Sequence, residues 1–491
     1  MKQKKYALPA LLILSLACAL QSAGPGNPAA IESAQKQSAT AQLPDTGPGT
    51  PESLPAAGLI NPSDLVYLGA FRLPGEDTPP KTFAYGGNAM TFNPDGDPVG
   101  DDLFPGSLFV MGHDRQAWGS LPDGSQVAEV SIPVPALAAN PADLPTAAFL
   151  QEFADVTAGY FTDLEEIPKA GMQYLNHPDT GPRIHLAWGQ HLQPPDAPSF
   201  AWFSPNLAAP DFRGVWFLGN QNPYSVNGYL FEIPAAWADA HASGRYLAAG
   251  RMRDGGQGGM GPALFAYRPW DAGGAAPAPG TRLAETVLLL YATSDSTEEI
   301  IRCQSGYQHP DEWEGGAWMT APSGRSAVLF AGTKSNGAKY WYGYRNPSGA
   351  GQPCVDAHVT DYPTCRLADG ADCPPEDFSG CCDAEAGGCI SQRGWWSTRF
   401  DAQFIFYDPA DLARVAAGEM DSWEPQPYAT LDIDDHLYLN PSGTDVEMLG
   451  EGDQRRYRIG DVSFDRANGL LYVLELYADG AKPVVHVWRV K

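Results

Sequence analysis

The feature that most constrains this chain is a phrase that recurs. "GGNAMTFNP" (residues 86–94) is followed by "GSLFVMGHD" (106–114) and then by "QVAEVSIP" (126–133). Each segment is short, rich in β-branched and aromatic residues, and bounded by Gly, Pro, Asn or Asp, which is how strands meet tight turns. The same order returns as "AGMQYLNHP" with "RIHLAWGQH" and "SFAWFSP", and as "MGPALFAYRP" with "ETVLLLYATS". It returns again as "GGAWMTAPSG" with "SAVLFAGTK", and as "IGDVSFDRANG" with "GLLYVLELY" and "VVHVWRV". Aligned on Gly87, Gly171, Gly261, Gly316 and Gly460, these imperfect copies of one β-meander predict an all-β chain folded as a single β-propeller. The pair "GVWFLGN" and "GYLFEIP", between Gly214 and Pro234, is expected to supply outer strands of the second blade or a blade of its own, so five blades are expected, or six.

Geometry explains why glycine heads each copy. The first strand of a blade lies nearest the central axis, where converging backbones leave least room for a side chain. The early "LVYLGAFRL" (65–73) is expected to pair with the last blade, which closes the ring and removes exposed edges. "PADLARVAAG" and "PAAWADAHASG" read as helices outside the sheets, and 13 Trp, 21 Tyr and 20 Phe supply a core. The run "GGQGGMG" contains G-x-G-x-x-G but leads into a strand, whereas a dinucleotide fingerprint follows a strand and opens a helix.

The N-terminus carries an address. Lys2, Lys4 and Lys5 precede an apolar run that ends at Ala17 and Cys18, the pattern of a secretory signal too short to remain as a membrane span. "LSLAC" resembles the bacterial lipobox, with Ser15 where that motif usually has Leu. The resemblance implies cleavage before Cys18 and acylation of its thiol. Residues 1–18 are thus expected to be the signal, 19–58 a disordered tether of Ala, Pro, Gly, Ser and Thr, and 59–491 the propeller. The chain is expected to be secreted and lipid-anchored at the cell envelope, otherwise extracellular or periplasmic, touching membrane only through the anchor. A formal charge of −27 argues against nucleic-acid partners.

Six of the eight cysteines, Cys354, Cys365, Cys373, Cys381, Cys382 and Cys389, fall within an expected insertion over 345–398. No C-x-x-C pair with a matching partner is present, so disulfides of open connectivity are favoured over zinc. Cys303 is left over as an expected buried free thiol.

In a propeller blade the start of the first strand and the end of the second are neighbours, so one rim around the central channel collects residues distant in sequence. Second-strand ends supply His113, Asp114, Gln190, His191, Asp295, Lys334 and Glu475; first-strand starts supply Tyr85, Gln257, Trp313, Glu314, Arg458 and Asp461. Carboxylates sharing a site can divide acid and base roles. Glu314, Asp461, Glu475 and His113 are therefore the candidate catalytic residues. Trp313, Arg458, Tyr85, Asp114, His191, Gln257 and Lys334 are the candidate substrate contacts, with a tryptophan face suited to stacking on a sugar ring. This arrangement is similar to five-bladed propeller glycoside hydrolases, whose inner-strand acids surround a central pocket. A propeller polysaccharide lyase using His113, Tyr85 and Arg458 is equally open. Signatures of serine hydrolases (G-x-S-x-G) and zincins (H-E-x-x-H) are absent.

No cofactor is expected. Calcium is the one cation considered, at Asp95, Asp97, Asp101 and Asp102, a spacing without the twelfth-position acid of an EF-hand, and in the acidic stretch Asp432 to Asp453. The functional expectation is a protein that binds or processes extracellular carbohydrate at the channel rim, with enzyme and binding module both open. The alternative is a non-enzymatic scaffold for an envelope protein, recognised through the cysteine-rich insertion.

Overall fold

The computed structural model describes residues 58–76, 81–97, 104–112, 126–164, 169–190, 193–194, 196–250, 258–293, 302–308, 310–341, 344–345 and 395–491. Cys18 with the expected signal and the expected tether as far as residue 57, His113, Asp114, His191, Gln257, Asp295, Asp101, Asp102 and the six cysteines from Cys354 to Cys389 lie outside these residues.

The strands group into five antiparallel blades. After β1 (Leu65–Arg72), blade 1 contains β2 (Met90–Asn93), β3 (Ser107–Met111), β4 (Gln126–Ser131) and β5 (Phe149–Asp155). Blade 2 contains β6 (Lys169–His177), β7 (Gly181–Gly189), β8 (Phe200–Phe203) and β9 (Arg213–Leu218). Blade 3 contains β10 (Leu230–Glu232), β11 (Leu247–Ala249), β12 (Leu264–Tyr267) and β14 (Glu285–Leu289), while the short β13 (Arg282–Leu283) adds to β9 in parallel. Blade 4 contains β15 (Glu312–Thr320), β16 (Ser326–Trp341), β18 (Trp395–Tyr407) and β19 (Ala429–Asp432), with β17 (Tyr344–Arg345) paired to β16. Blade 5 contains β20 (Ile459–Asp465), β21 (Leu470–Asp479) and β22 (Lys482–Val490), completed by β1.

The first strands β2, β6, β10, β15 and β20 pack one against the next, and β20 returns to β2. Five blades therefore close one ring. Closure is of the expected kind, because β1 runs antiparallel along β22 from Leu65 opposite Val490 to Arg72 opposite Val484. One apolar cluster fills each interface between blades. Phe109 and Met111 meet Met172 and Trp188 between blades 1 and 2, and Phe200 and Trp216 meet Leu247 and Phe265 between blades 2 and 3. Phe231 meets Trp318 and Phe330 between blades 3 and 4, Phe404 meets Trp488 between 4 and 5, and Tyr472 meets Phe92 between 5 and 1.

The internal order of blade 3 corrects one expectation. "GYLFEIP" supplies its first strand, β10, and "GVWFLGN" is the outer strand β9 of blade 2. "MGPALFAYRP" is the third strand and "ETVLLLYATS" the outermost, so Gly261 does not head a blade. A helix over Ala235–His241 separates β10 from β11 and interrupts the meander, which hid the true first strand.

Close approach at the axis is real at Gly460 and Gly171. A Cβ on Gly460 would stand 2.0 Å from the Gly87 carbonyl oxygen, and one on Gly171 would stand 2.8 Å from Tyr229 Cα. Side chains also satisfy the free edges of the first strands. Asp461 Oδ2 and Ser463 Oγ on β20 accept from the Met90 and Phe92 amides at 2.8 Å each, and Thr91 Oγ1 accepts from the Tyr174 amide at 2.7 Å. Buried backbone N–H groups left unpaired would be costly, so these bonds hold one blade to the next.

Cys303 is disulfide-bonded, with its partner outside the described residues; this overturns the free thiol. The expectation rested on the other cysteines pairing among themselves. Among the described residues no helix is long and apolar enough to cross a membrane.

Candidate functional site on the central face

The starts of the first strands meet at one end of the ring, and the chemistry there is ionic. Lys169, the first residue of β6, places Nζ 2.6 Å from Glu314 Oε2 and 2.6 Å from the Glu314 carbonyl oxygen on β15. Blade 3 lies between these two strands in the ring, so the pair joins two blades that are not adjacent. Both side chains are 1% exposed, and Nζ stands 5.9 Å from the centre of the Tyr229 ring of blade 3. A charge this deep is tolerated only when paired and hydrogen-bonded.

Blades 4 and 5 add three further pairs. Lys334 Nζ donates to both oxygens of Asp311 at 2.9 Å, Arg456 pairs with Glu312, and Arg458 pairs with Asp434. The Arg458 amide also donates to Thr333 Oγ1 at 2.9 Å, and its Nε donates to the Arg455 carbonyl at 2.8 Å. Burial pushes the Asp434 carboxyl above the ordinary aspartate range, against the pull of Arg458. The more accessible groups of the same strand ends are Tyr85, Gln190, Glu312, Lys334 and Tyr457, all partly buried.

The candidate acids have definite partners here. Asp461 is fully buried and accepts from the Met90 and Val462 amides at 2.8 Å, a link between blades 5 and 1. Glu475 accepts from the Tyr438 and Leu439 amides at 2.9 and 2.6 Å and bonds His486 Nε2 at 2.8 Å; His486 Nδ1 in turn meets the Tyr67 hydroxyl at 2.8 Å. That relay ties β21, β22 and β1 together. Trp313 is 2% exposed and lies in the apolar cluster between blades 3 and 4, which leaves no open ring face. Tyr85 stands at the start of blade 1 with its ring 6.0 Å from that of Tyr477, edge to face. Lys334 and Arg458 stand at the same strand ends, each engaged with a carboxylate.

Lys169, Asp311, Glu312, Arg455 and Arg456 were not singled out by the sequence reading. All stand within a few residues of a blade's first strand, so the rule that selected Glu314 and Arg458 reaches them too.

An acidic group adjoins these pairs and shares Asp434 with them. Carboxylate oxygens of Asp401, Asp432 and Asp434 come within 4.8 Å of one another, donors of the type a hard divalent cation takes. Protein donors already engage them: Arg399 Nε bonds Asp401 at 2.8 Å, Asn336 donates to Asp401, and Arg458 pairs with Asp434. In the other acidic turn, Asp95 accepts from the Tyr174 hydroxyl at 2.8 Å.

Together these observations define the chain as a five-bladed β-propeller with an ion-paired, tyrosine-bearing central face. No family model matches the sequence, and no curated protein does. Among solved structures it is similar to a candidate exo-β-1,3-galactanase from Bifidobacterium bifidum, at 10% identity and a TM-score of 0.36, covering 86% of this chain and 92% of that one. It is also similar to the PQQ domain of pyranose dehydrogenase from Coprinopsis cinerea, at 10% identity and a TM-score of 0.32, covering 84% of this chain and 94% of that one. Likenesses this distant carry no chemistry across.

Proposed function

We propose that the protein binds extracellular saccharide at its central face, and that any turnover takes place there. One observation carries this reading: four charged pairs, Lys169–Glu314, Lys334–Asp311, Arg456–Glu312 and Arg458–Asp434, converge on one end of the ring beside the partly exposed Tyr85, Gln190 and Tyr457. Ion pairs locked by burial hold polar groups at fixed positions. Tyrosine rings add flat apolar faces with a hydroxyl at the tip. Fixed polar groups beside flat rings are what recognition of a sugar's hydroxyls and C–H faces requires.

Should the protein cleave its ligand, Glu314, near the start of the first strand β15, is the candidate acid on this face. Paired with an ammonium, it is suited to accept a proton or stabilise developing positive charge rather than to donate.

A glycan array and a polysaccharide-degradation screen test this, with wild type beside Tyr85→Ser, Gln190→Ala and Glu314→Gln. The expected result is saccharide binding that Tyr85→Ser and Gln190→Ala weaken by about tenfold, the loss of one good contact of ~1.4 kcal/mol. Product release abolished in Glu314→Gln would make the protein an enzyme. Silence across both screens would overturn the reading in favour of a protein partner.

A further inference from the structure

The sequence "RRYR", Arg455 to Arg458, leads into the first strand of blade 5. Of the five cations considered on the central face, Lys169, Lys334, Arg456 and Arg458 each have a carboxylate partner. Arg455 has none. It is 2% exposed, its Nε and Nη1 have no acceptor, and Nη2 reaches only the Leu476 carbonyl at 3.4 Å. Burial pushes its guanidinium down to about 10, so it still carries its charge at neutral pH. Among the described residues Arg455 is thus a buried cation with no carboxylate in ion-pair contact, although Glu475 and Asp445 act on it from a longer distance. Such a group is costly unless something else supplies the negative charge.

A second feature marks the same corner. Tyr85, Tyr457 and Tyr477 all have left-handed backbones, with φ of 62°, 52° and 58°. For bulky residues this conformation is strained, and strain of this kind collects at ligand-binding sites. The three tyrosines pack into one cluster with Leu449 and Leu476. The Arg455 guanidinium carbon lies 5.3 Å from the Tyr477 ring centre and that of Arg456 lies 4.6 Å from the Tyr457 ring centre.

We propose that Arg455 is the receptor for the oxyanion of an acidic saccharide, a uronate carboxylate or a sulfate ester, taken at the Tyr85–Tyr457–Tyr477 corner of the central face. This rests on the saccharide reading above and adds the class of sugar. The guanidinium supplies the charge and the unmet donors, and the tyrosine rings flank the sugar. Tyr85 and Tyr457 are only partly buried, so this corner is the side from which the oxyanion would enter.

The test is calorimetric titration of the full chain with oligogalacturonate, sulfated galactan oligosaccharide and neutral galactan oligosaccharide. Wild type, Arg455→Met and Arg455→Lys are compared, each with a thermal melt. The expected result is at least about tenfold tighter binding of one acidic ligand than of the neutral one, as a charge-assisted hydrogen bond implies. Arg455→Met should reduce that ligand to the neutral level and raise the Tm, because it replaces an unpaired buried charge with an apolar chain of similar length. Arg455→Lys should keep part of the preference.

Lowering the pH through the sugar carboxyl's range, about 3 to 4, removes binding if the ligand is a uronate and leaves it if the ligand is a sulfate ester. Equal binding of acidic and neutral sugars in wild type would overturn the role of Arg455 while the saccharide reading stands. A lower Tm for Arg455→Met with all sugars lost together would make the residue structural and overturn the proposal. No binding of any sugar would remove the saccharide reading and the proposal with it.

Discussion

Lys169 and Glu314 illustrate what a residue can and cannot reveal before its neighbours are known. Glu314 was legible as a central-face acid because it stands two residues ahead of a leading glycine. Its partner was not, because the bond joins blades that are not adjacent, and no local pattern encodes a contact across a ring. The same limit applies to Asp461, read as a catalytic candidate and found capping the Met90 amide on the neighbouring blade. A buried pair is strongly destabilising to break and nearly neutral to replace as a unit. Lys169→Met alone is therefore expected to cost about 3–5 kcal/mol in urea unfolding, and Glu314→Leu alone a similar amount. The double variant should cost much less than the two losses added. Additive losses would mean that the two side chains do not depend on each other.

At the scale of elements, strand grammar carried most of the fold. Short β-branched and aromatic runs between turn residues gave the strands, and the recurrence of their order gave a ring of blades. Blade 3 was misread because its first strand has only three residues and is cut off from the second by the helix Ala235–His241. Its third strand carries the same Gly-led pattern and took the place of the first. The closing strand β1 was legible as an early strand, ahead of the first repeat, that could pair with the last blade, and its role can be measured. Besides backbone pairing along β22, it sends the Tyr67 hydroxyl to His486 and so to Glu475. Removing the chain through Arg72 would bare the β22 edge and open the ring. The expected outcome is a lower Tm with concentration-dependent self-association by size-exclusion chromatography, the behaviour of an unpaired edge. A monomer of unchanged Tm would show that β1 is dispensable.

The described residues form a ring of blades with apolar clusters between them, and the site proposed above lies at the end where the ion pairs gather. A net charge of −27 disfavours anionic polymers at long range, while Arg455 at the start of blade 5, on the proposal above, favours an anion at contact. Salt should therefore weaken acidic-sugar binding less than it does in a basic protein. The central claim is that the end of the ring where the first strands begin is the ligand face. Hydrogen–deuterium exchange of the protein, with and without the glycan selected by the array, tests this most directly. The account predicts slowed exchange at residues 85–90, 169–171, 311–316, 333–336 and 455–461, with the outer strands unchanged. Slowing confined to β5, β9, β14 or β19, with those central segments unchanged, would contradict it and place the ligand on the outside of the ring.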